Sequence, residues 1–364
     1  MKCKLSDVCE YRKGKVHVSN LTLKTYISTE NMLPNKAGVV EANSLPSTTL
    51  VQEYKENDTL VSNIRPYFKK VWQAKHDGGC SNDVLVFQGK ANIDKDFLYY
   101  ILANDDFFAY SMATSKGTKM PRGDKKSIMQ YELQLFDIKI QKKIVSILKL
   151  LDKKIELNNA INNNLAQQAK TIYQTWFEKF ILSNGSCPPT WKRGILADIA
   201  NITSGKRPPK KSTKKQNGFE IPLLGATSIV GFTNEANYTN KIFVIGRVGT
   251  HGIVQRINFP CWASDNTLVI TSELYEYTFQ ILQKINYHAM NRGSTQPLIT
   301  QADMNKVDIL IPDNQILTEF ESIVGQLMKK YETNLMENTK LAELRDYLLP
   351  CLLSGELDVS QINI

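Results

Sequence analysis

The stretch IELNNAINNNLAQQ, residues 155–168, holds five asparagines between positions 158 and 164. Asparagine forms helices poorly and is common in turns, so the stretch alone would indicate a spacer that does not fold. Apolar residues nevertheless recur through it and its flanks at alternating intervals of four and three residues. This period is typical of a long helix with one buried seam.

The seam extends over more than four heptads and occurs twice in the chain. The first copy comprises Ile144, Leu148, Leu151, Ile155, Asn158, Asn162, Leu165, Ala169, Ile172 and Trp176. The second copy comprises Phe320, Val324, Leu327, Tyr331, Asn334, Asn338, Leu341, Arg345, Leu348 and Leu352. Both copies have asparagine at their two central positions. Because a disordered spacer would not keep this register twice, the sequence predicts two long helices with a polar centre.

The rest of the chain is duplicated as well. KLSDVCEYRKGK from Lys4 is similar to ILADIANITSGK from Ile195, and CSNDVLVFQ from Cys80 is similar to ASDNTLVIT from Ala263. GTKMP precedes the first helical pattern and GSTQP precedes the second, and an offset of 176 residues relates both pairs. Four weak matches in the same order predict a tandem duplication.

Each copy consists of a strand-rich part followed by one long helix. Short apolar runs such as DVLVFQ, KIFVIG and TLVIT alternate with glycine, asparagine and proline, a pattern typical of strands and turns. We therefore predict an α+β fold with two globular α/β domains separated by two long antiparallel coiled-coil helices in a pseudo-two-fold internal repeat. The predicted segments are a first globular domain, 1–140, a central helix, 141–182, a second globular domain, 183–315, and a C-terminal helix and tail, 316–364.

The connectivity predicts how the helices pair. The second globular domain joins the end of the first helix to the start of the second, and a compact domain holds its two ends close together. The helices should therefore run antiparallel, with one globular domain at each end. This pairing sets Asn158 opposite Asn338 and Asn162 opposite Asn334. We hypothesise that these amides fix the helix register at some cost in stability; the alternative is that they are simply exposed.

Composition limits the class of protein. The 364 residues exceed the usual size of a single core, and the net charge of +9 favours a polyanionic partner such as nucleic acid, although many basic proteins bind none. The sequence has no apolar run long enough to span a membrane and no apolar signal-peptide core at its start. Six scattered cysteines without a CxxC pair disfavour a metal site and favour a reducing, cytoplasmic location.

The predicted helices suggest a spacing device. From Ile144 to Trp176 a helix would span roughly 50 Å at about 1.5 Å per residue. DNA-binding dimers place their reading elements about 34–36 Å apart, or at multiples of that distance. A single chain with two different basic domains held apart in this way would read two different half-sites separated by a gap of fixed length.

Three basic segments are candidates for DNA contacts. GKRPPKKSTKKQNG, 205–218, predicts a mobile phosphate-contacting loop, although a merely solvated loop is the alternative. RPYFKKVWQAK, 65–75, mixes cations with Tyr67, Phe68 and Trp72, which we expect to pack in the core rather than stack on bases. SKGTKMPRGDKK, 115–126, matches a second-copy segment, so its arginine could contact phosphate or guanine. The candidate DNA-contacting residues are Arg65, Lys69, Lys70, Lys75, Lys116, Lys119, Arg122, Lys206, Arg207, Lys210, Lys211, Lys214, Lys215, Arg247, Arg256 and Arg292.

These features together resemble the specificity (S) subunit of type I restriction-modification systems. KIQKKIVSILKLLDKKIELNNAINNNLAQQAKTIYQTWF, 139–177, is similar to that family's central helix, and ENTKLAELRDYLLPCLLSGEL, 337–357, to its C-terminal helix. NGFEIPLLGATSIVG, IGRVGTHGIV and NRGSTQPLIT are similar to segments of its target recognition domains. The resemblance spans essentially the whole chain.

The resemblance implies a division of labour. The two globular domains would be target recognition domains, each reading one half of a bipartite double-stranded DNA site. The paired helices would set the spacer length and dock two methyltransferase (M) subunits, and two restriction/translocase (R) subunits would complete an ATP-dependent restriction complex. S-adenosylmethionine, ATP and Mg²⁺ would act in those partners, with no cofactor in this chain.

The sequence offers no chemistry of its own. It has no GxxxxGK[ST] phosphate loop and no [DNS]-P-P-[FY] adenine-methyltransferase motif. Its four histidines, at 17, 76, 251 and 288, are isolated, so we predict no catalytic residue. Three other interpretations stay open: a DNA-bridging protein unrelated to restriction, a protein scaffold whose basic loops are incidental, and an enzyme, which the missing motifs favour least.

Overall fold

The structure, a computed structural model, describes residues 1–248, 252–290 and 298–362. It divides into two compact units, which we describe separately. Unit 1 comprises Met1–Asn158 and Met336–Ile364, and unit 2 comprises Asn159–Leu335. Each unit therefore contains one globular part and a segment of both long helices.

Unit 1 contains ten short strands and the first helices of the chain. The strands are β1 (Lys2–Lys4), β2 (Cys9–Tyr11), β3 (Lys15–His17), β4 (Tyr26–Ile27), β5 (Leu50–Tyr54), β6 (Thr59–Ser62), β7 (Val71–Gln73), β8 (Gly78–Cys80), β9 (Val84–Gly89) and β10 (Glu132–Gln134). The helices are α1 (Leu5–Val8), α2 (Lys95–Ala103), α3 (Asp105–Ala113), α4 (Lys125–Ile128) and the long α5 (Ile138–Phe177), which continues into unit 2.

Three sheets organise unit 1. The central sheet has the order β2-β9-β6-β7, the second sheet β3-β5-β8-β4, and β1 pairs with β10 in a two-stranded ribbon. The side chains of β9 point alternately into two cores. Leu85 and Phe87 pack beneath α2 and α3, whereas Val84 and Val86 face the second sheet. Because both faces of the central sheet are covered, its strands are apolar at nearly every position.

Unit 2 repeats this arrangement with different lengths. Its strands are β11 (Lys192–Ile195), β12 (Asn201–Ser204), β13 (Ile221–Leu224), β14 (Ile229–Thr233), β15 (Ile242–Gly246), β16 (Val254–Ile257), β17 (Trp262–Ala263), β18 (Thr267–Thr271) and β19 (Asp308–Ile311). Its helices are α6 (Tyr275–Lys284), α7 (Gln301–Asn305) and the long α8 (Asn314–Ser354), which continues into unit 1.

The sheets confirm the internal repeat. The order β12-β18-β15-β16 in unit 2 reproduces β2-β9-β6-β7, and the ribbon β11-β19 reproduces β1-β10. The second sheets differ, because unit 2 has the three-stranded order β14-β13-β17. The duplication therefore keeps the central sheet and changes the sheet beside it.

A repeated capping arrangement joins the first ribbon to the central sheet in each unit. The carboxylate of Asp7 accepts a hydrogen bond of 2.8 Å from the backbone nitrogen of Lys4. The carboxylate of Asp198 accepts the equivalent 2.8 Å bond from the backbone nitrogen of Ile195. These residues occupy matching positions in the two sequence repeats, so the similarity of the sequences reflects the same local turn.

The predicted helical patch after β9 is two helices rather than one. Asp94 caps α2 by accepting hydrogen bonds from the backbone nitrogens of Asp96 and Phe97. Asn104 has an extended backbone, with ψ of 143°, which separates α2 from α3. Aromatic side chains from both helices, including Phe97 and Phe107, lie in the unit 1 core.

The long helices are antiparallel within each unit, as predicted. In unit 1, Asp152 of α5 contacts Arg345 of α8, and Asn158, further along α5, contacts the earlier residue Asn338. The two helices therefore run in opposite directions. The ends of the helices are part of the globular cores. Ile144 and Leu148 belong to the unit 1 core, while Tyr173 and Phe177 pack with Phe320 in unit 2.

The first long helix is placed slightly differently from the predicted 141–182. It begins at Ile138 and ends at Phe177. Phe180 and Asn184 have left-handed backbones, with φ of 52° and 57°, and this conformation cannot continue an α-helix. Helix α8 begins at Asn314, two residues before the predicted C-terminal segment 316–364, and ends at Ser354, where the tail begins.

Candidate nucleic-acid interface

The asparagines of unit 1 form a contact between the helices. Asn158 Nδ2 donates hydrogen bonds to Asn338 Oδ1 at 2.9 Å and to Glu337 Oε2 at 2.8 Å. Asn158 is 1% exposed, and Asn338 is half-buried. The predicted opposition of these two residues is therefore observed.

Unit 2 contains the second asparagine pair. Asn334 Nδ2 donates to Asn162 Oδ1 at 2.9 Å, and Asn162 Nδ2 donates to the backbone oxygen of Tyr331 at 3.2 Å. Asn162 and Asn334 are 4% and 0% exposed. Because burial of an amide requires hydrogen-bond partners, these contacts favour one register of the helices. The alternative that the asparagines are simply exposed is wrong.

In unit 1, a charged contact attaches the helix pair to the globular part. Asp152 of α5 accepts hydrogen bonds from Tyr100 Oη at 2.6 Å and from Arg345 Nη1 at 2.9 Å. Burial and the nearby Asp152 carboxylate raise the pKa of Tyr100, so the phenol keeps its proton and donates. Residues from α2, α5 and α8 are thus joined at one carboxylate.

In unit 2, Arg256 has the corresponding structural role. Its guanidinium donates to both carboxylate oxygens of Glu276, at 2.6 and 2.8 Å, and to Glu332 at 3.1 Å. Burial opposes the charge on Arg256, but these carboxylates raise its pKa overall. We therefore remove Arg256 from the set of candidate DNA-contacting residues, because its charge is already paired inside unit 2.

The segment 205–218 presents a group of six exposed cations. Its six candidate residues, all exposed, are Lys206, Arg207, Lys210, Lys211, Lys214 and Lys215. No ion pair involves these six among the residues that the structure describes. The segment is tied to unit 2 at several points: the backbone of Ser212 bonds to Phe232, and Trp262 Nε1 donates to the carbonyl of Lys206 at 2.7 Å. It therefore holds its charges on an anchored backbone.

In unit 1, the cations of 65–75 are partly engaged. Lys69 Nζ donates to Asp105 at 2.6 Å. Lys70 Nζ donates to the carbonyl of Thr29 at 2.6 Å, and burial lowers the pKa of Lys70. Lys75 is near an acidic side chain of α5 but keeps 73% of its side chain exposed. Of these three lysines, Lys75 is the most accessible to a polyanion.

The aromatic residues of this segment do not all pack as expected. Trp72 is 8% exposed and belongs to a core. Tyr67 and Phe68 are 49% and 38% exposed, so the expectation that they pack in the core is wrong for these two. They lie on a 3-10 turn between two residues with left-handed backbones, a conformation that no local sequence pattern indicated.

The loop before α4 lies beside this turn. Lys116 Nζ donates to Asp124 at 3.0 Å, and Arg122 Nη2 is 3.2 Å from Asp83. Hydrogen bonds from Ser127 and Lys116 lower the pKa of Asp124 to about 2. Lys119 is exposed. The side chains of Lys116 and Arg122 remain 80% and 53% exposed, so both ammonium and guanidinium groups are accessible.

Two further candidate arginines have a shared feature. The Nε atoms of Arg65 and Arg247 are buried and have no hydrogen-bond partner among the described residues. Arg65 and Arg247 follow β6 and β15, which are equivalent strands of the two central sheets. Arg292, and His251 among the isolated histidines, lie outside the described residues.

A match to one known protein family covers most of the chain. The family described as "Type I restriction modification DNA specificity domain" matches residues 1–167 and again residues 188–345. The chain belongs to this family. The two matches correspond to the two sequence repeats, and each includes most of one long helix.

Curated relatives of this specificity family agree over most of their length. The chain is 24% identical to the type I restriction enzyme HindI specificity subunit of Haemophilus influenzae, over 91% of this chain and 94% of that protein. It is 25% identical to the type I restriction enzyme MjaIX specificity subunit of Methanocaldococcus jannaschii, over 75% of this chain and 71% of that protein.

A solved structure has the same fold. The type I restriction-modification S subunit from M. genitalium superimposes with a TM-score of 0.60 at 17% identity, covering 99% of this chain and 96% of that one. At this identity the match concerns the fold alone, and it agrees with the two α+β units described above.

Neither a metal-binding cluster nor a membrane-spanning helix is found in the described part of this specificity-family chain. Residues 1–248, 252–290 and 298–362 contain no cluster of three or more His, Cys, Asp or Glu side chains placed to hold a metal ion. None of the helices in those ranges combines the length and apolarity needed to cross a membrane.

Proposed function

We propose that this chain is the DNA-recognition subunit of a type I restriction-modification complex. Unit 1 reads one half of a bipartite double-stranded DNA target, and unit 2 reads the other half. The observation that carries the proposal is the duplication itself: two copies of one central sheet carry unlike loops and unlike second sheets.

Cationic loops supply the attraction to DNA. The six exposed cations of 205–218 in unit 2 and Lys75, Lys116, Lys119 and Arg122 in unit 1 are suited to phosphate contacts. Phosphate contacts position a protein on the duplex but carry no sequence information. Because base edges are read in the grooves, the loops that differ between the units account for two unlike half-sites.

The paired helices set the number of unread base pairs. Helices α5 and α8 are continuous over 40 and 41 residues. The buried asparagine pairs oppose sliding of one helix by a heptad, since sliding would leave amides against apolar side chains. A fixed register gives a fixed gap between half-sites.

The outer faces of the same helices dock methyltransferase subunits. Large apolar side chains on α5 and α8 are exposed, which is unusual for a helix facing only water. They are Ile138, Leu150, Leu157, Ile323, Leu335, Met336, Leu344 and Tyr347. Two M subunits cover these residues, and two R subunits join the assembled complex.

The chemistry of the complex belongs to those partners. We infer that S-adenosylmethionine acts in the M subunits and that ATP and Mg²⁺ act in the R subunits, so this chain is not an enzyme by itself. Adenine methylation requires the target base to leave the helical stack, and the pocket that receives it lies in a partner. The complex works in the cytoplasm, where it meets foreign DNA.

The decisive experiment is co-expression with an adenine methyltransferase partner, followed by sequencing of methylated sites. The expected result is one sequence with two specified halves and a gap of constant length. A continuous recognition sequence, or no methylation by a complex shown to assemble, would contradict the proposal.

A change of helix length tests the gap separately. Seven residues inserted into α5 between Asn158 and Asn162, and seven into α8 between Asn334 and Asn338, add about 10 Å per helix. At about 3.4 Å per base pair, the gap should grow by about three base pairs while both half-sites stay the same. Altered half-sites would show that the helices do more than separate the units.

The scaffold interpretation predicts a different outcome. A protein scaffold with incidental basic loops would bind its partner subunits but would show little affinity for duplex DNA. Binding to duplex DNA that falls steeply as salt rises is expected for the recognition subunit.

A further inference from the structure

A turn in unit 1 exposes two neighbouring aromatic rings. Tyr67 and Phe68 are 49% and 38% exposed, with ring centroids 4.6 Å apart. Among the described residues, the other exposed aromatic side chain is Tyr347 on α8. Adjacent aromatic rings are costly to leave in water, so their exposure on a structured turn indicates a binding role.

The backbone that holds these rings is strained. Arg65 and Lys69 bracket the turn, with φ of 49° and 50°, and neither residue is a glycine or an asparagine. Residues 35 and 36, which contact this turn, also have φ of 55° and 62°. Left-handed backbones are unfavourable for residues other than glycine and persist only where surrounding contacts impose them.

The contacts that impose the strain are present. The backbone nitrogens of Asn35 and Lys36 donate to the carbonyls of Phe68 and Lys69 at 2.8 and 2.9 Å. The ammonium groups of Lys36 and Lys69 both bind Asp105, at 2.8 and 2.6 Å. The rings therefore stand on a fixed platform rather than on a loose loop.

The surroundings of the rings suit a nucleic acid. The backbone nitrogen of Arg65 donates to the carbonyl of Pro121 at 2.8 Å, which places the turn against the loop that bears Lys116, Lys119 and Arg122. Aromatic rings beside cations are the combination by which proteins bind unstacked bases. A protein partner would be served less well by this surface, because the cations around the rings favour a polyanion.

We propose that Tyr67 and Phe68 form an aromatic wedge that stacks on the base left unpaired when the adenine of the first half-site leaves the duplex. This inference rests on the proposed function. The wedge offsets the lost stacking on the strand opposite the extruded adenine, because an aromatic ring can stack on an unpaired base of any identity. Unit 2 provides an internal comparison, because its half-site is read without these residues.

The test uses the assembled methyltransferase complex and its own bipartite duplex. The variant is Tyr67→Ala/Phe68→Ala, and methylation is measured separately at the two half-sites. Loss of stacking should slow methylation of the first half-site about tenfold or more, while the second half-site keeps its rate. Tyr67→Phe, which keeps the ring, should retain the original rate at both.

A mismatch opposite the target adenine provides the sharper readout. A mismatched base leaves the stack at lower cost, so a mismatch in the first half-site should restore the double variant to within a few-fold of the original protein. Leu50→Ala serves as the control, since it removes a half-exposed apolar side chain elsewhere in unit 1 and should not distinguish the half-sites.

Three results would overturn the wedge: no loss in the double variant, equal loss at both half-sites, or loss that the mismatch does not restore. Equal loss would indicate a contact with a protein partner instead. The proposed function itself would fail in a different way: the complex with the original sequence would not methylate a bipartite duplex.

Discussion

The side-chain nitrogen of Asn158 lies 2.9 Å from the side-chain oxygen of Asn338, although 180 residues separate them in the chain. The second pair, Asn162 and Asn334, is separated by 172 residues and buried more completely. Both contacts join α5 to α8 at the stretch where the apolar seam is interrupted. Their chemistry leads to a test of how the register is maintained.

Removing one amide should be worse than removing both. Asn162→Leu leaves the buried amide of Asn334 without its partner and should lower the free energy of unfolding by about 1–3 kcal/mol. Asn162→Leu/Asn334→Leu should be close to neutral but should permit more than one register. Urea denaturation measures the first effect, and cysteine pairs placed across alternative registers measure the second. Asn163→Leu, at an exposed position of the same helix, is the control; equal destabilisation by all three variants would contradict the pairing.

Arg256 should be essential for stability rather than for DNA contact. Arg256→Met leaves Glu276, which is 3% exposed, without its ion pair, and breaking a buried pair costs about 3–5 kcal/mol. The double variant Arg256→Met/Glu276→Gln should recover much of that loss. Thermal or urea unfolding provides the measurement. Lys241→Met removes an exposed cation 3.9 Å from Glu332 and should cost less than about 1 kcal/mol.

The loop 205–218 should control the salt dependence of DNA binding. Replacing Lys210, Lys211, Lys214 and Lys215 with glutamine should reduce the slope of log affinity against log salt by about 0.9 for each lysine that contacts a phosphate. Fluorescence anisotropy on duplex DNA at several salt concentrations measures this slope. The matched control replaces four exposed lysines elsewhere: Lys170, Lys179, Lys192 and Lys306. If both sets of substitutions gave the same slope of log affinity against log salt, the loop 205–218 would not be part of the DNA interface.

Glu321 should make a pH-dependent contribution to unit 2. Its carboxylate accepts the backbone N–H groups of Glu276 and Tyr277 at the start of α6, at 3.0 and 2.7 Å, but burial raises its pKa above the ordinary 4.5. Because the folded pKa is raised, the stabilisation from this group is complete below about pH 4.5 and is lost as the pH rises through the folded value.

Urea unfolding at pH 4.5 to 7.5 tests this sign. The stability of the original protein relative to Glu321→Gln should decline as the pH rises over that interval. Glu319→Gln, at an exposed position on the same helix, should show no such trend. A relative stability that increases with pH would mean that the two backbone hydrogen bonds outweigh burial.

Thiol reactivity should report on packing. Burial raises the pKa of Cys9 and Cys80 to about 12 and that of Cys261 to about 11, so these thiols stay protonated and inaccessible at pH 8. Cys187 is exposed and should react first with a disulfide reagent. Cys187→Ser should abolish the fastest phase. Rapid reaction of all six cysteines in the native protein would show that the cores are more open than described.

The features predicted correctly from sequence are those with a repeating pattern. The heptads predicted the two long helices because a period of four and three residues persists over most of each helix. The connectivity predicted their antiparallel pairing, and the duplication located Asn158 opposite Asn338. The strands of the central sheets were visible as apolar runs, since both faces of each sheet are covered. In each of these cases many residues contribute the same signal.

The errors have a different origin: they depend on single residues or on distant partners. Arg256 was expected at the DNA surface, but its charge is paired with Glu276 and Glu332. These partners lie 20 and 76 residues away in sequence, so the sequence did not reveal the pairing. Tyr67 and Phe68 were expected in the core but are exposed. The turn that exposes them depends on the left-handed backbone of Arg65, which tertiary contacts impose. No local pattern encodes either arrangement.

Unit 1 is assembled from two separated parts of the chain, and this determines the order in which the protein is completed during synthesis. All residues of unit 2 are synthesised before Met336 is added. The core around Ile144 and Leu148 also contains Leu352 and Val359, which are synthesised after the whole of unit 2. Unit 1, whose synthesis begins first, can therefore be completed only after unit 2, and until then the side chains of its core that pack against the end of α8 stay uncovered.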